Sequence, residues 1–143
     1  MEQEPIAGYG WYIKRIGNAL AKEAAHNMQA HALTTQQAHA LVALKHAPDG
    51  SLTLKELEKH FCAAQSTVAG LVARLEKKGL VEGYADPDDK RVKRVRLTEA
   101  GLAMNATCRQ DVVSSEKRLV SQLTEEEKAA FLELLRKVYD AVK

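Results

Sequence analysis

Ser66-Thr67-Val68-Ala69-Gly70-Leu71-Val72-Ala73-Arg74-Leu75-Glu76-Lys77-Lys78-Gly79-Leu80 and, shortly after it, Asp86-Pro87-Asp88-Asp89-Lys90-Arg91-Val92-Lys93-Arg94-Val95-Arg96-Leu97-Thr98 decide the fold. In the first stretch Val68, Leu71, Val72 and Leu75 recur at i, i+3, i+4 and i+7, the spacing of a helix with one apolar face. Gly79 follows, where a left-handed residue lets the chain leave a helix sharply. In the second stretch an acidic turn over Asp86 to Arg91 separates two strand-like runs, Val81 to Ala85 and Val92 to Leu97. Basic residues occupy five of the seven positions from Lys90 to Arg96. A helix running into a basic hairpin is the layout of a winged helix-turn-helix.

The flanking sequence supplies the remaining elements. Thr53-Leu54-Lys55-Glu56 reads as a capping box that opens a short helix with Leu54, Leu57 and Phe61 inward, the first helix of the helix-turn-helix. Ser51 and Leu52 form a short extended link before it. Thr34-Thr35-Gln36-Gln37 is a similar box, opening a helix from about Thr35 to Ala47 that Pro48-Asp49-Gly50 ends. Tyr9, Tyr12, Ile13, Ile16, Leu20 and Ala24 share one stripe and predict a long first helix from roughly Pro5 to Ala30. Thr98 caps a fifth helix running to about Leu123. Thr124-Glu125-Glu126-Glu127 opens a final helix whose apolar face holds Phe131, Leu134, Leu135, Val138 and Val142.

The expected fold class is therefore mainly α with a small β-hairpin. A winged region at 33–98 is flanked by helical regions at 1–32 and 99–143, in one domain of 143 residues. The apolar stripes of the terminal helices exceed what a small winged region can cover, and leaving a large side chain exposed forgoes ~1.5–3 kcal/mol. Those helices are expected to make a homodimer, since a two-fold pair is the commonest closed assembly. The alternative is an intramolecular helical cap on a monomer.

Composition narrows the function. From Cys62 to Thr98 there are eight Lys and Arg against five Asp and Glu, while the rest of the chain carries thirteen against fourteen. The whole positive excess lies in the winged segment, as a polyanion-binding surface requires. Two cysteines, Cys62 and Cys108, are too few for a disulfide framework and suit a reducing cytoplasm. Neither secretion nor membrane insertion is supported, because no leader pattern or long apolar window is present. Among His26, His31, His39, His46 and His60 no pair has metal-ligand spacing, so no metal and no other cofactor is expected. No nucleophile with its base and no phosphate loop is legible, so an enzyme is not expected.

The ordered set of the two opening stretches, continued through Val95-Arg96-Leu97-Thr98-Glu99-Ala100-Gly101, resembles the MarR family of bacterial regulators. The resemblance implies a homodimer, joined through its terminal helices, that binds pseudo-palindromic double-stranded DNA as a transcriptional regulator, usually a repressor. It also implies that Asp89 steadies Arg91, which enters the minor groove, and that the helix from about Gln65 to Lys78 occupies the major groove. A departure is Glu82-Gly83-Tyr84, where many members are basic. The family often takes a small aromatic or phenolic effector in a cleft beside the dimerisation helices, and Tyr12, Arg15 and His39 are candidate wall residues for it.

The residue chemistry fits those roles. An arginine at a wing tip responds to the enhanced potential of a narrow minor groove. Lys90, Lys93, Arg94 and Arg96 are candidate phosphate contacts, which set register and affinity rather than sequence. Gln65, Ser66 and Thr67 lie at a helix N-terminus facing the duplex, although Ser66 serves equally well as a cap. Gly70 suggests close approach of DNA or of a neighbouring helix, and Arg74 lies one turn farther along. The rival reading is a winged-helix module whose basic hairpin binds an acidic protein.

Overall fold

The computed structural model describes residues 7–143. In chain order its elements are α1 (Tyr9–Ala30), α2 (Thr35–His46), β1 (Ser51–Thr53), α3 (Leu54–Phe61), α4 (Gln65–Lys77), β2 (Val81–Ala85), β3 (Lys93–Leu97), α5 (Glu99–Leu119) and α6 (Glu125–Val142). The expected helix start at Pro5 lies outside the described residues. Two units divide the chain, Met1–Asp111 and Val112–Lys143.

The first unit holds the winged helix-turn-helix, with one element beyond the expected hairpin. Ser51–Thr53 is a strand, pairing antiparallel with β3 through Leu52 opposite Val95, so the sheet order is β1-β3-β2. A three-residue strand is too short to show alternation in sequence, which is why it reads as a link. It makes β3 central, and Val95 is fully buried. Leu41 and Leu44 of α2, Leu57 of α3, and Val68 and Leu75 of α4 share one hydrophobic core with it, each at most 2% exposed. Burial of each is worth ~1.5–3 kcal/mol. This core fixes α4 against the sheet and hence against the wing.

Local chemistry sets the element ends. Thr34 and Gln37 form the full reciprocal box of α2. At α3 the Thr53 hydroxyl accepts from the Glu56 amide at 3.1 Å, a one-sided cap in place of the expected box. Helix α4 ends in a Schellman turn at Gly79, φ 74°, with the Leu80 amide donating to the Leu75 carbonyl. Thr98 joins this turn to α5: its hydroxyl donates to the Gly79 carbonyl at 2.6 Å and accepts from the Gly101 amide at 3.1 Å. A Cβ at Gly101 would stand 1.9 Å from the Leu80 carbonyl oxygen, so only glycine allows this approach. Helix α5 stops at Leu119 rather than near Leu123. There the Ser121 hydroxyl donates to the Arg118 carbonyl and the chain turns, a side-chain competitor to the helical bond.

In the second unit, α6 has the full Thr124–Glu127 box, and three glutamates in its first turn complement the helix dipole. The Thr124 amide holds the Glu127 carboxyl below its usual value. The expected apolar stripe is present and open, with Leu134 58% exposed and Leu135, Val138 and Val142 also exposed. Helix α1, in the first unit, buries no residue, and its Tyr12, Ile13 and Ile16 are exposed.

Candidate nucleic-acid interface

Helix α4 turns Val68, Leu71, Val72 and Leu75 inward and leaves Gln65, Ser66, Thr67, Ala69 and Ala73 exposed on its other side. Its N-cap is Ala64, which makes no side-chain cap. Ser66 therefore is not the cap of this helix: it lies inside the first turn, exposed. The first amides of α4 lack a capping side chain, and free amides at a helix N-terminus are suited to an anion. A Cβ at Gly70 would meet only the Arg74 guanidinium, at 3.6 Å, so no neighbouring helix explains that glycine. Arg74 and Thr67 border a groove of about 360 Å³ whose other wall is Thr34, Thr35 and Gln36 at the start of α2. The sequence marks Thr35 and Gln36 only as part of the capping box of α2, and neither carries a recognition pattern of its own.

The wing is an aspartate-built turn. The Asp86 carboxylate accepts from the amides of Asp88 at 2.8 Å and Asp89 at 3.2 Å, and the Asp86 amide donates to the Val92 carbonyl. At the tip, Asp89 Oδ1 accepts from the backbone amide and Nε of Arg91, both at 3.1 Å, while Oδ2 accepts from Nη2 at 3.3 Å. The Arg91 side chain is nonetheless 91% exposed. The Asp89–Arg91 pair thus aims a guanidinium outward while leaving its outer edge open. Lys90 beside it is exposed too.

The strand cations are engaged within the fold. Arg94, expected among the phosphate contacts, is only 17% exposed at its side chain, and its three nitrogens donate to Ser51 Oγ, Asp86 and Asp49 at 3.0–3.1 Å. It binds the wing to the turn before β1 rather than projecting from it. Lys93 bonds Glu76 of α4 at 3.0 Å, and its side chain crosses Gly83, where a Cβ would lie 2.3 Å from Lys93 Cε. Arg96 bonds Glu82 at 2.6 Å and lies 4.5 Å from the Tyr84 ring centroid. Glu82-Gly83-Tyr84, the departure from the usual basic pattern, is therefore what receives Lys93 and Arg96.

These contacts set the local charge states. The Asp88 amide, followed by Arg94, holds the Asp86 carboxyl below its usual value. Arg91 does the same for Asp89, and the Ser51 amide for Asp49. Hydrogen bonds from Arg94 to Asp86 and from Arg96 to Glu82 raise both guanidiniums further.

The three residues named for an effector are placed as follows. Tyr12 and Arg15 meet at Trp11, the tyrosine edge-on with centroids 4.9 Å apart and the guanidinium 4.7 Å from the indole centroid. His39 is exposed on α2. Cys62 is exposed, whereas Cys108 is buried and burial pushes its thiol up. Among the described residues no three His, Cys, Asp or Glu side chains gather into a metal site. No described helix is long and apolar enough to cross a membrane.

Residues 33–93 match the MarR family. The HTH-type transcriptional repressor NicR of Pseudomonas putida is 34% identical over 110 residues, 76% of this chain and 68% of that one. The HTH-type transcriptional repressor IacR of Pseudomonas putida is 39% identical over 54 residues, 38% of this chain and 32% of the repressor. The crystal structure of the Staphylococcus aureus MepR–DNA complex superimposes with a TM-score of 0.82 at 27% identity, covering 94% of this chain and all of that one.

Proposed function

The chain belongs to the MarR family, and on that premise we propose that it is a sequence-specific, double-stranded DNA-binding transcriptional regulator acting as a homodimer on a pseudo-palindromic operator. Its relatives are named as transcriptional regulators, and it is not an enzyme. The observation that carries the proposal is the pairing of two open surfaces: the exposed polar side of α4, and the Arg91 guanidinium held outward by Asp89 at the end of the adjoining wing. In this reading α4 lies in the major groove with Gln65, Ser66, Thr67 and Arg74 toward bases or backbone. Arg91 enters the minor groove, and Lys90 meets a phosphate. The likeness to MepR in its DNA complex supports that arrangement.

The exposed apolar stripes of α1 and of α6, each taken by itself, support the homodimer, because a row of exposed large apolar side chains on one helix marks an interaction surface. Repression is the mode favoured by the names of NicR and IacR. A small aromatic or phenolic effector is supported by Tyr12 and Arg15, which join at Trp11 an aromatic wall and a cation suited to a carboxylate.

Selection of duplexes from a random library by the purified protein tests the proposal. It should recover an inverted repeat with half-sites ~10–10.5 bp apart. Recovery of unpaired half-sites alone contradicts the homodimeric arrangement, and recovery of nothing contradicts DNA reading.

A further inference from the structure

We infer that Lys78 is a positioning residue for DNA reading, one that sets the angle of α4 from the link between α1 and α2 instead of touching DNA. The inference rests on the function proposed above and deepens it. Lys78 closes the helix that carries Arg74 and Lys77, so by sequence it looks like one more phosphate contact. Its backbone is the C-cap of α4, with its amide donating to the Arg74 carbonyl at 3.1 Å while the following Gly79 amide donates to the Glu76 carbonyl at 2.9 Å. From there the side chain runs back to the α1–α2 link, and the ammonium donates to the Ala32 carbonyl and, at 2.8 Å, to Gln37 Oε1. Gln37 is 4% exposed. The same oxygen accepts from the Thr34 amide at 3.2 Å, and Thr34 Oγ1 accepts from the Gln37 amide. One buried amide oxygen thereby joins the start of α2 to the end of α4.

The link that receives Lys78 is itself held. Helix α1 ends with Ala32 in the left-handed region, φ 55°, with the Ala32 amide bonded to the Gln29 carbonyl and the Leu33 amide to the Met28 carbonyl. A non-glycine residue stays in that region where its surroundings hold it, and the Lys78 ammonium on its carbonyl is one such hold. Beside it, His31 Nε2 lies 2.7 Å from Asp111 Oδ2 on α5. The link is thus tied to α5 through His31 and to α4 through Lys78. In a two-fold assembly, half-site spacing follows from where each recognition helix stands. A residue that fixes α4 against α1 should therefore govern how strictly spacing is read.

The test measures wild type, Lys78→Met, Gln37→Met, the double variant and Lys78→Arg on the selected duplex and on duplexes with a single base pair added to or removed from the spacer, at several salt concentrations. Hydrogen exchange at the Thr34 amide is measured on the DNA-free proteins. Lys78→Met should bind the selected duplex more weakly, lose discrimination against altered spacers, keep the wild-type log–log salt slope and exchange Thr34 faster. Gln37→Met should do the same, the double variant should be no worse than the more severe single one, and Lys78→Arg, which keeps its donors, should restore spacing discrimination. A slope reduced by about 0.9 with spacing discrimination intact would make Lys78 a phosphate contact and overturn the inference. Unchanged Thr34 exchange in Lys78→Met would overturn it as well. Failure of the wild type to bind any duplex sinks the DNA reading and the inference together, and is recognised before any substitution is made.

Discussion

The guanidinium of Arg94 bonds the Asp86 carboxylate at 3.0 Å across the base of the wing, while another of its nitrogens reaches Asp49 at 3.1 Å. One side chain therefore ties the wing turn to the turn that precedes β1. Arg94→Met should loosen the wing and weaken DNA binding while leaving the log–log salt slope unchanged, because an internally engaged cation releases no counterions. If Arg94 instead meets a phosphate, the slope falls by about 0.9. Affinity measured against salt concentration separates the two.

The wing should also have a one-sided response to pH. Asp86, Asp89 and Asp49 are held below their usual values by backbone amides and by arginines. A carboxyl lowered on folding contributes stability above its unfolded value, about 3.9, and that contribution is lost as pH falls through the folded value. The wing contacts should hold from neutral pH down to about 4 and fail only in stronger acid. Carboxyl carbon shifts followed by NMR would show this, and a transition of these groups near neutrality would contradict it.

Two glycines should respond in opposite ways to alanine. At Gly101 the added Cβ meets the Leu80 carbonyl, a backbone atom that cannot step aside, and overpacking of that kind costs ~1–3 kcal/mol or more. At Gly70 it meets only the end of the Arg74 side chain, so the helix should gain up to ~1 kcal/mol. Denaturant midpoints read both. Weaker DNA binding by the stabilised Gly70→Ala protein would show that the duplex approaches this position closely.

Light scattering at micromolar concentration should give the mass of two chains. Replacing Leu134 and Leu135 by lysine places charges on the exposed stripe of α6 and should shift the protein to one chain or unfold it. A wild-type mass of one chain would remove the homodimer.

Much of this architecture is legible in the sequence, because helix periodicity and cap chemistry are local. Val68, Leu71, Val72 and Leu75 mark the buried face of α4 unaided, and Gly79 and Thr98 mark its end and the start of α5. What escapes is long-range pairing. Nothing near Arg94 announces Asp49, and Lys78 gives no sign that it turns back to Gln37. Strand alternation does place Arg94 and Arg96 opposite Val95, but only the fold shows that acidic partners already occupy them. The Asp86 turn was within reach, since an aspartate before Pro-Asp commonly accepts from the amides that follow.

Arg91 carries the central claim, as the exposed guanidinium that Asp89 aims outward. The decisive measurement is the affinity of wild type and Arg91→Ala for the selected duplex and for one with G/C pairs at the wing positions, over a range of salt concentrations. Removal of a reader of groove shape should cost more affinity on the A/T-rich duplex than on the G/C one. Equal affinities of wild type and Arg91→Ala on both duplexes would contradict a DNA-reading wing and favour an acidic protein as its partner.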